Sequence, residues 1–299
     1  MKDVDFVVTY VDQSDIYWQR GYEEACFKNR RLPSYESPRF RSWGTIKYAL
    51  RGVGNFMPWI NNVYLVVERD TQVPQWVNRS EVNIIYHHQI IPMEYLPTYN
   101  SCTIEMFLWK IPDLAEKFIY ANDDMIPVDV LTENEFYDGN TPRLSYKPKE
   151  YDSDSNMYCH QLHSTENLVR DILGMPEDNE YVMKTGHNLN PMLKSTWAFL
   201  FKEKEAVILD SLSAFRQKKN LNQDLSTYWH ILSGDFAENE RRTKYTEMEY
   251  VFKLIDIIEN SDAQLICIND NKASHDKDLK QKMINSFERR LPHKSKYEL

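Results

Sequence analysis

The sequence is sparing in several features that mark large classes of protein. It holds only four cysteines in 299 residues, Cys26, Cys102, Cys159 and Cys267, far apart and with no CxxC pair. That usage speaks against a disulfide framework or a cysteine-built zinc site and suggests free thiols in a reducing compartment. No apolar run is long enough to cross a bilayer, and the N-terminus runs straight into a strand with no signal peptide, so the chain reads as cytoplasmic. Positive charge is in deficit, with 36 Lys and Arg against 45 Asp and Glu and a formal net charge of −9. This balance argues against nucleic acid as the main partner and against nonspecific adhesion to anionic lipid. Internal repeats and low-complexity linkers are also missing. What is present is a folded chain's composition, 42% hydrophobic and 13% aromatic, with enough length for a large core.

The pattern along the chain is that of an α/β protein. Residues 5–11 are a β-branched and aromatic strand ending in the polar turn Asp12-Gln13-Ser14-Asp15. A helix is expected over 20–31, then a two-proline loop over 32–41 whose Arg39 and Arg41 either reach an anionic ligand or are solvated. Ile46, Leu50 and Val53 have the spacing of an amphipathic helix over 42–53, with Gly52 and Gly54 weakening its end. Strands follow at 63–67 and 82–86. A helix capped by Asn100 or Ser101 presents Ile104, Leu108 and Ile111 on one face, and a fourth strand begins at Phe118. This order predicts a mainly parallel sheet. The stretch 129–158 reads as an insertion, 164–173 as a helix capped by Ser164 and ended by Gly174, and 202–215 and 224–232 as helices. A last strand is expected at 264–268 and a helix from Asp276 carrying Leu279, Met283 and Phe287 on one face. The tail, 291–299, is expected to fray. The organisation expected is one domain over 1–299, with an α/β half at 1–128, an insertion at 129–178 and a region holding His187, Arg216 and the last core strand at 179–299.

Chemistry concentrates at strand ends. Phe118-Ile119-Tyr120-Ala121 runs into Asn122-Asp123-Asp124. Two adjacent carboxylates repel each other and lose solvation if buried; either a divalent cation compensates them or they form a solvated turn. Ligands of open α/β sheets bind at the carboxyl ends of the strands, where this cluster falls. Cys267-Ile268-Asn269-Asp270-Asn271 repeats nearly the same terminus, and the two ends side by side could complete one oxygen-rich metal and phosphate site. In Thr185-Gly186-His187-Asn188-Leu189-Asn190-Pro191, Gly and Pro fix an unusual backbone path around a histidine, which suits either a general base or a plain surface loop. Arg216 opens a basic cluster with Lys218 and Lys219, either phosphate-binding or a solvated helix end.

Taken together these pieces resemble the Stealth proteins, a family of sugar-phosphate transferases. Phe6 through Asp15 looks like the family's first block, with Gln13 where glycine is usual. Tyr48-Ala49-Leu50-Arg51, Pro58 through Tyr64, Leu96 through Ser101, Ile104-Glu105 and Phe118 through Met125 look like the second. Gly186 through Pro191 with Arg216 looks like the third, and Cys267 through Asn271 like the fourth. The usual Arg-x-Asn/Asp-Glu-Leu lead-in is replaced by Arg41-Ser42-Trp43-Gly44-Thr45-Ile46. The resemblance implies a Rossmann-like, GT-A-like, mainly parallel α/β fold with helical insertions. It implies transfer of a sugar 1-phosphate from a UDP-sugar to a hydroxyl of an oligosaccharide or lipid-linked glycan, releasing UMP, in capsular or cell-surface polysaccharide synthesis. A lipid-linked acceptor would bring the protein into transient contact with the inner face of the membrane. The alternatives are a metal-dependent glycosyltransferase that releases UDP, a metal-dependent phosphohydrolase, and a non-enzymatic glycan-binding module. The residue roles implied are His187, Arg216 and Asp124 in catalysis. Asp12, Asp15, Asn100, Asn122, Asp123 and Asn269 would bind the nucleotide-sugar, and Asp123, Asp124 and Asp270 would hold Mg2+ or Mn2+.

Overall fold

The computed structural model describes residues 3–34, 38–270 and 277–299. Asn271 and Asp276, named above, lie outside the described residues. The first half builds β1 (Val4–Thr9), α1 (Ile16–Lys28), α2 (Thr45–Phe56), β2 (Ile60–Val67), β3 (Asn83–Tyr86), α3 (Ser101–Glu105), β4 (Lys117–Asn122) and β5 (Met125–Pro127). The second half adds α4 (Met157–Ile172), β6 (Asn190–Leu193), α5 (Lys194–Ser211), α6 (Asp224–Ser233), β7 (Thr243–Glu247), α7 (Val251–Asn260), β8 (Leu265–Asn269) and α8 (Lys277–Arg290).

The main sheet has the order β6-β4-β1-β2-β3. Its β4, β1, β2 and β3 are mutually parallel, and β6 runs antiparallel on the β4 edge. The expected mainly parallel α/β architecture is therefore what the chain adopts. Alternate residues of the central strands feed two cores, as a doubly covered parallel sheet requires. Val7, Tyr64, Val66, Phe118 and Tyr120 pack toward α4, α5 and α6. Val4, Phe6, Val8, Leu65, Ile119 and Ala121 pack toward Ile46, Leu50 and Val53 of α2. β8 does not join this sheet. It pairs with β7 and, antiparallel, with β5 in a second sheet of three strands. The chain leaves β4 and enters β5 through Asp123 and Asp124, so the acidic turn lies at the seam between the two sheets.

Several helix boundaries differ from the sequence reading, each for a local reason. α1 starts at Ile16 because Asp15 caps it, accepting from the Tyr17 and Trp18 amides at 2.7 and 3.1 Å. α2 continues past its glycines to Phe56, and tight packing demands those glycines. A Cβ on Gly52 would stand 2.1 Å from the Pro127 carbonyl oxygen, and one on Gly54 would stand 2.5 Å from Ser295 Cβ. α3 is only one short turn capped by Asn100, with Leu108 in a separate 3₁₀ turn. α4 begins at the Asn156 cap, so Ser164 lies inside it. α5 occupies 194–211 rather than 202–215, because 213 and 214 are drawn off to bond Asn100 and Tyr99.

The tail does not fray. Tyr297 and Glu298 are buried, Val77 bridges Glu298, and the fully buried Arg51 grips both Glu298 oxygens at 2.9 and 2.7 Å. A buried guanidinium needs a carboxylate, and Glu298 of the tail supplies one beside Glu288 of α8, 2.8 Å from Arg51 Nη1.

Candidate functional site

The carboxyl ends of β1, β2 and β4 form one edge of the main sheet, and Asn122 of β4 lies in register with Thr9 of β1. The hydroxyl of Tyr120 links the two, 3.0 Å from both Thr9 Oγ1 and Asn122 Oδ1. Asp12 follows β1. Its backbone amide donates to Gln72 Oε1 at 2.7 Å, and its carboxylate accepts from the Ser14 amide. Beside it lies a cleft of about 360 Å3 lined by Tyr10, Asp12, Asp15, Gln72 and their neighbours. Asp15 lines this cleft while capping α1. Burial pushes its carboxyl up, but the hydrogen bonds it accepts outweigh that and hold it below its ordinary value.

Asp123 and Asp124 are under electrostatic strain. Burial, then the charge of Asp124 and more distantly that of Asp12, pushes the Asp123 carboxyl up to about 8. Burial pushes Asp124 up to about 6. Among the described residues, Asp124 Oδ1 is buried with no hydrogen-bond partner, and Oδ2 has only the weak thiol donor Cys267, 3.8 Å away. Adjacent carboxylates disfavoured as anions, with one orphaned buried oxygen, form a donor set that fits a hard divalent cation.

The two polar strand ends do meet. The Ile268 amide donates to the Asp124 carbonyl oxygen at 3.1 Å. Asp270, however, does not face the pair as a free ligand. Arg41 donates to both of its oxygens at 2.9 Å, and Trp43 Nε1 donates at 2.7 Å. Among the described residues no group of three His, Cys, Asp or Glu converges as a metal cluster. Only Asp123 and Asp124 of the three expected ligands remain open to a cation.

His187 sits partly buried after Gly186, whose φ of +76° is left-handed. Its ring stacks on Tyr245 at 5.0 Å. Asn269 donates to the Tyr245 hydroxyl at 3.1 Å, so Tyr245 joins two expected site residues. Burial, then the charge of Lys184, lowers the His187 pKa and keeps the ring neutral at pH 7. The loop is anchored at both ends. Thr185 donates to the buried Asp224 at 2.7 Å, and Asn190 donates to Gln223 at 2.7 Å.

Arg216 donates to Ser101 Oγ and faces the buried Glu105, whose carboxyl burial pushes up. Glu105 also accepts from the Gln223 amide at 2.8 Å. Asn100 is fully buried, its amide spent on Ser213, Asn220 and Thr103 and its oxygen on the α3 cap. It holds the loop that leads to Arg216 and does not present its own side chain to the cleft. Sequence reasoning assigned no role to Tyr245, Asp224 or Gln72. Tyr245 lies on a strand that no apolar alternation announces. Asp224 stood in view as a helix start, with nothing local to show that it reaches Thr185.

These features define an α/β protein whose acidic pair, histidine loop and arginine cluster around the carboxyl edge of a parallel sheet. Residues 39–144 match the family described as Stealth protein CR2, conserved region 2, the family that the motifs of this chain resemble. Along its full length it is 29% identical to a capsular polysaccharide phosphotransferase, WcwK, of Streptococcus pneumoniae, covering 100% of this chain and 99% of that one. It is 27% identical to a receptor polysaccharide phosphotransferase, WefC, of Streptococcus oralis, covering 100% of both. Among solved structures, the galactosyltransferase LgtC superposes with a TM-score of 0.43 at 9% identity, over 96% of this chain and 95% of that one.

Proposed function

We propose that this protein transfers a sugar 1-phosphate from a UDP-sugar to a hydroxyl of an acceptor glycan, forming a phosphodiester and releasing UMP, in the synthesis of a capsular or cell-surface polysaccharide. The observation that carries the reading is the Asp123–Asp124 pair, two carboxylates disfavoured as anions and with Asp124 Oδ1 orphaned. The names of the full-length relatives, polysaccharide phosphotransferases, agree with it.

Asp123 and Asp124 would hold Mg2+ or Mn2+, which when bound supplies positive charge to the donor diphosphate. Asp12 and Asp15 line the adjoining cleft, which would receive the nucleoside. His187, neutral at pH 7, accepts the proton of the attacking hydroxyl. The new bond joins that oxygen to the phosphorus bearing the sugar. The bond broken joins this phosphorus to the bridging oxygen, which leaves with UMP. Arg216 offers a fixed guanidinium to the phosphoryl oxygens as their charge shifts.

The test is the identity of the released nucleotide. UDP-GlcNAc and other UDP-sugars are incubated with Mg2+ or Mn2+ and a capsule-type acceptor. UMP formed only with acceptor supports sugar-phosphate transfer. UDP means attack at the anomeric carbon, and UMP without acceptor means hydrolysis; either refutes the proposal. No helix among the described residues is long and apolar enough to cross a membrane.

A further inference from the structure

A second cavity, of about 630 Å3, lies along α1 and shares no lining residue with the cleft beside Asp12. Neither Asp123, Asp124 nor His187 lines it. Its walls come from four places: α1 from Gly21 to Lys28 with Asn29 after it, Glu68 and Arg69 after β2, Glu94 to Pro97 with Tyr99, and Leu212 to Ala214 after α5.

Two polar groups in these walls are buried and, among the described residues, unsatisfied. Tyr99 is 6% exposed, and its hydroxyl has no partner. Glu68 Oε1 accepts from Arg69 Nη2 at 2.5 Å, while Oε2 is buried and unpartnered. The three groups are close together, since a Cβ on Gly21 would stand 2.7 Å from the Tyr99 hydroxyl and 3.6 Å from Arg69 Nη2. An orphaned buried hydroxyl or carboxylate oxygen costs about 1–3 kcal/mol, and a ligand that satisfies both removes that cost.

Charge and shape narrow the ligand. Three carboxylates, Glu24, Glu68 and Glu94, outnumber two cations, Lys28 and Arg69, so the lining does not select an anion such as a diphosphate. It offers a carboxylate acceptor, a phenol and a guanidinium beside the apolar Tyr95, Leu96 and Pro97. Vicinal hydroxyls on a ring with one apolar face match that set, and the volume is within the range of small-ligand sites. We infer that this cavity is a saccharide subsite, holding a neutral sugar unit of the acceptor glycan away from the reacting hydroxyl. The acceptor assignment rests on the transferase reading, whereas the saccharide chemistry does not. Binding energy from a non-reacting part of the acceptor can position the reacting end.

The experiment is direct binding to the full chain, without nucleotide or metal, by saturation-transfer NMR and calorimetry. The probes are lactose, cellobiose, chitobiose and N-acetyllactosamine. At least one should bind. Tyr99→Phe should weaken it by about fivefold or more, because the hydroxyl is lost, yet leave the melting temperature unchanged or higher, because that hydroxyl has no partner in the free protein. Glu68→Gln should weaken binding similarly. Lys28→Ala, at an exposed rim position, guards against a folding artefact and should weaken it less. UDP-GlcNAc should not displace the disaccharide. The inference is overturned if no probe binds, if Tyr99→Phe and Glu68→Gln bind as wild type, or if UDP-GlcNAc competes, which would give the cavity to the donor. The released-nucleotide assay is independent of all these readouts, so the two readings fail separately.

Discussion

Replacing Asp123 with asparagine should stabilise the protein in the absence of divalent cations while removing its capacity to bind one. In the folded chain the Asp123 carboxyl titrates at about 8 and that of Asp124 at about 6, against about 3.9 for an unfolded aspartate. Both folded values are raised, so the native state holds protons that the unfolded state has released, and stability declines as pH rises from about 4 toward 8. One extra proton gives a slope of about 1.4 kcal/mol per pH unit. Over the roughly three units from pH 5 to pH 8 the ceiling for Asp123 alone is about 4 kcal/mol, which water at the partly exposed turn reduces to about 2 kcal/mol. The assay is urea unfolding in EDTA at pH 5 and pH 8. Wild type should lose about 2 kcal/mol across that span, and Asp123→Asn should lose markedly less. Adding Mg2+ or Mn2+ at pH 8 should then raise the wild-type midpoint and leave the variant's unmoved. Equal wild-type stability at the two pH values, together with no gain in the variant, would refute the claim that these carboxylates are held at a desolvation cost.

His187→Ala should lower kcat by about a hundred- to ten-thousand-fold and leave the donor Kd unchanged; near-wild-type turnover would remove His187 from the mechanism. Because burial and Lys184 lower its pKa, the acid limb of the kcat profile should fall below pH 6.5, the ordinary histidine value. Glu298→Gln should cost about 2 kcal/mol, since it removes one of the two carboxylates that pair the buried Arg51 and leaves only Glu288, and the loss should appear in urea unfolding near pH 7. Burial raises the Glu298 carboxyl, but its hydrogen bonds from Arg51 win and its pKa is lowered. Its stabilisation is therefore present above about pH 4.3 and is lost as pH falls through the lower folded value, where wild type and variant should converge.

Local pattern carried much of this protein. The β-branched runs around Val7 and Leu65, and Phe118 to Ala121, are strands because both their faces are apolar, and each was legible without a structure. So was Asp123–Asp124 as a charge problem, because two adjacent carboxylates repel wherever they fall. The sequence by itself thus determined the parallel sheet, its order of elements and the acidic end of β4. Pairings between distant segments were not legible, because no periodicity reports them. Asp270 looked like a twin of Asp123, and only the fold brought Arg41 and Trp43 to it. The tail looked frayed until Arg51, buried by its helix, needed Glu298. Tyr245 and Asp224 acquired their places at His187 only when strands and helices far apart in the chain closed on one another. The physical reason is that hydrophobic alternation is a short-range signal, whereas the partner of a buried charge is chosen by whatever the folded chain places within hydrogen-bond reach.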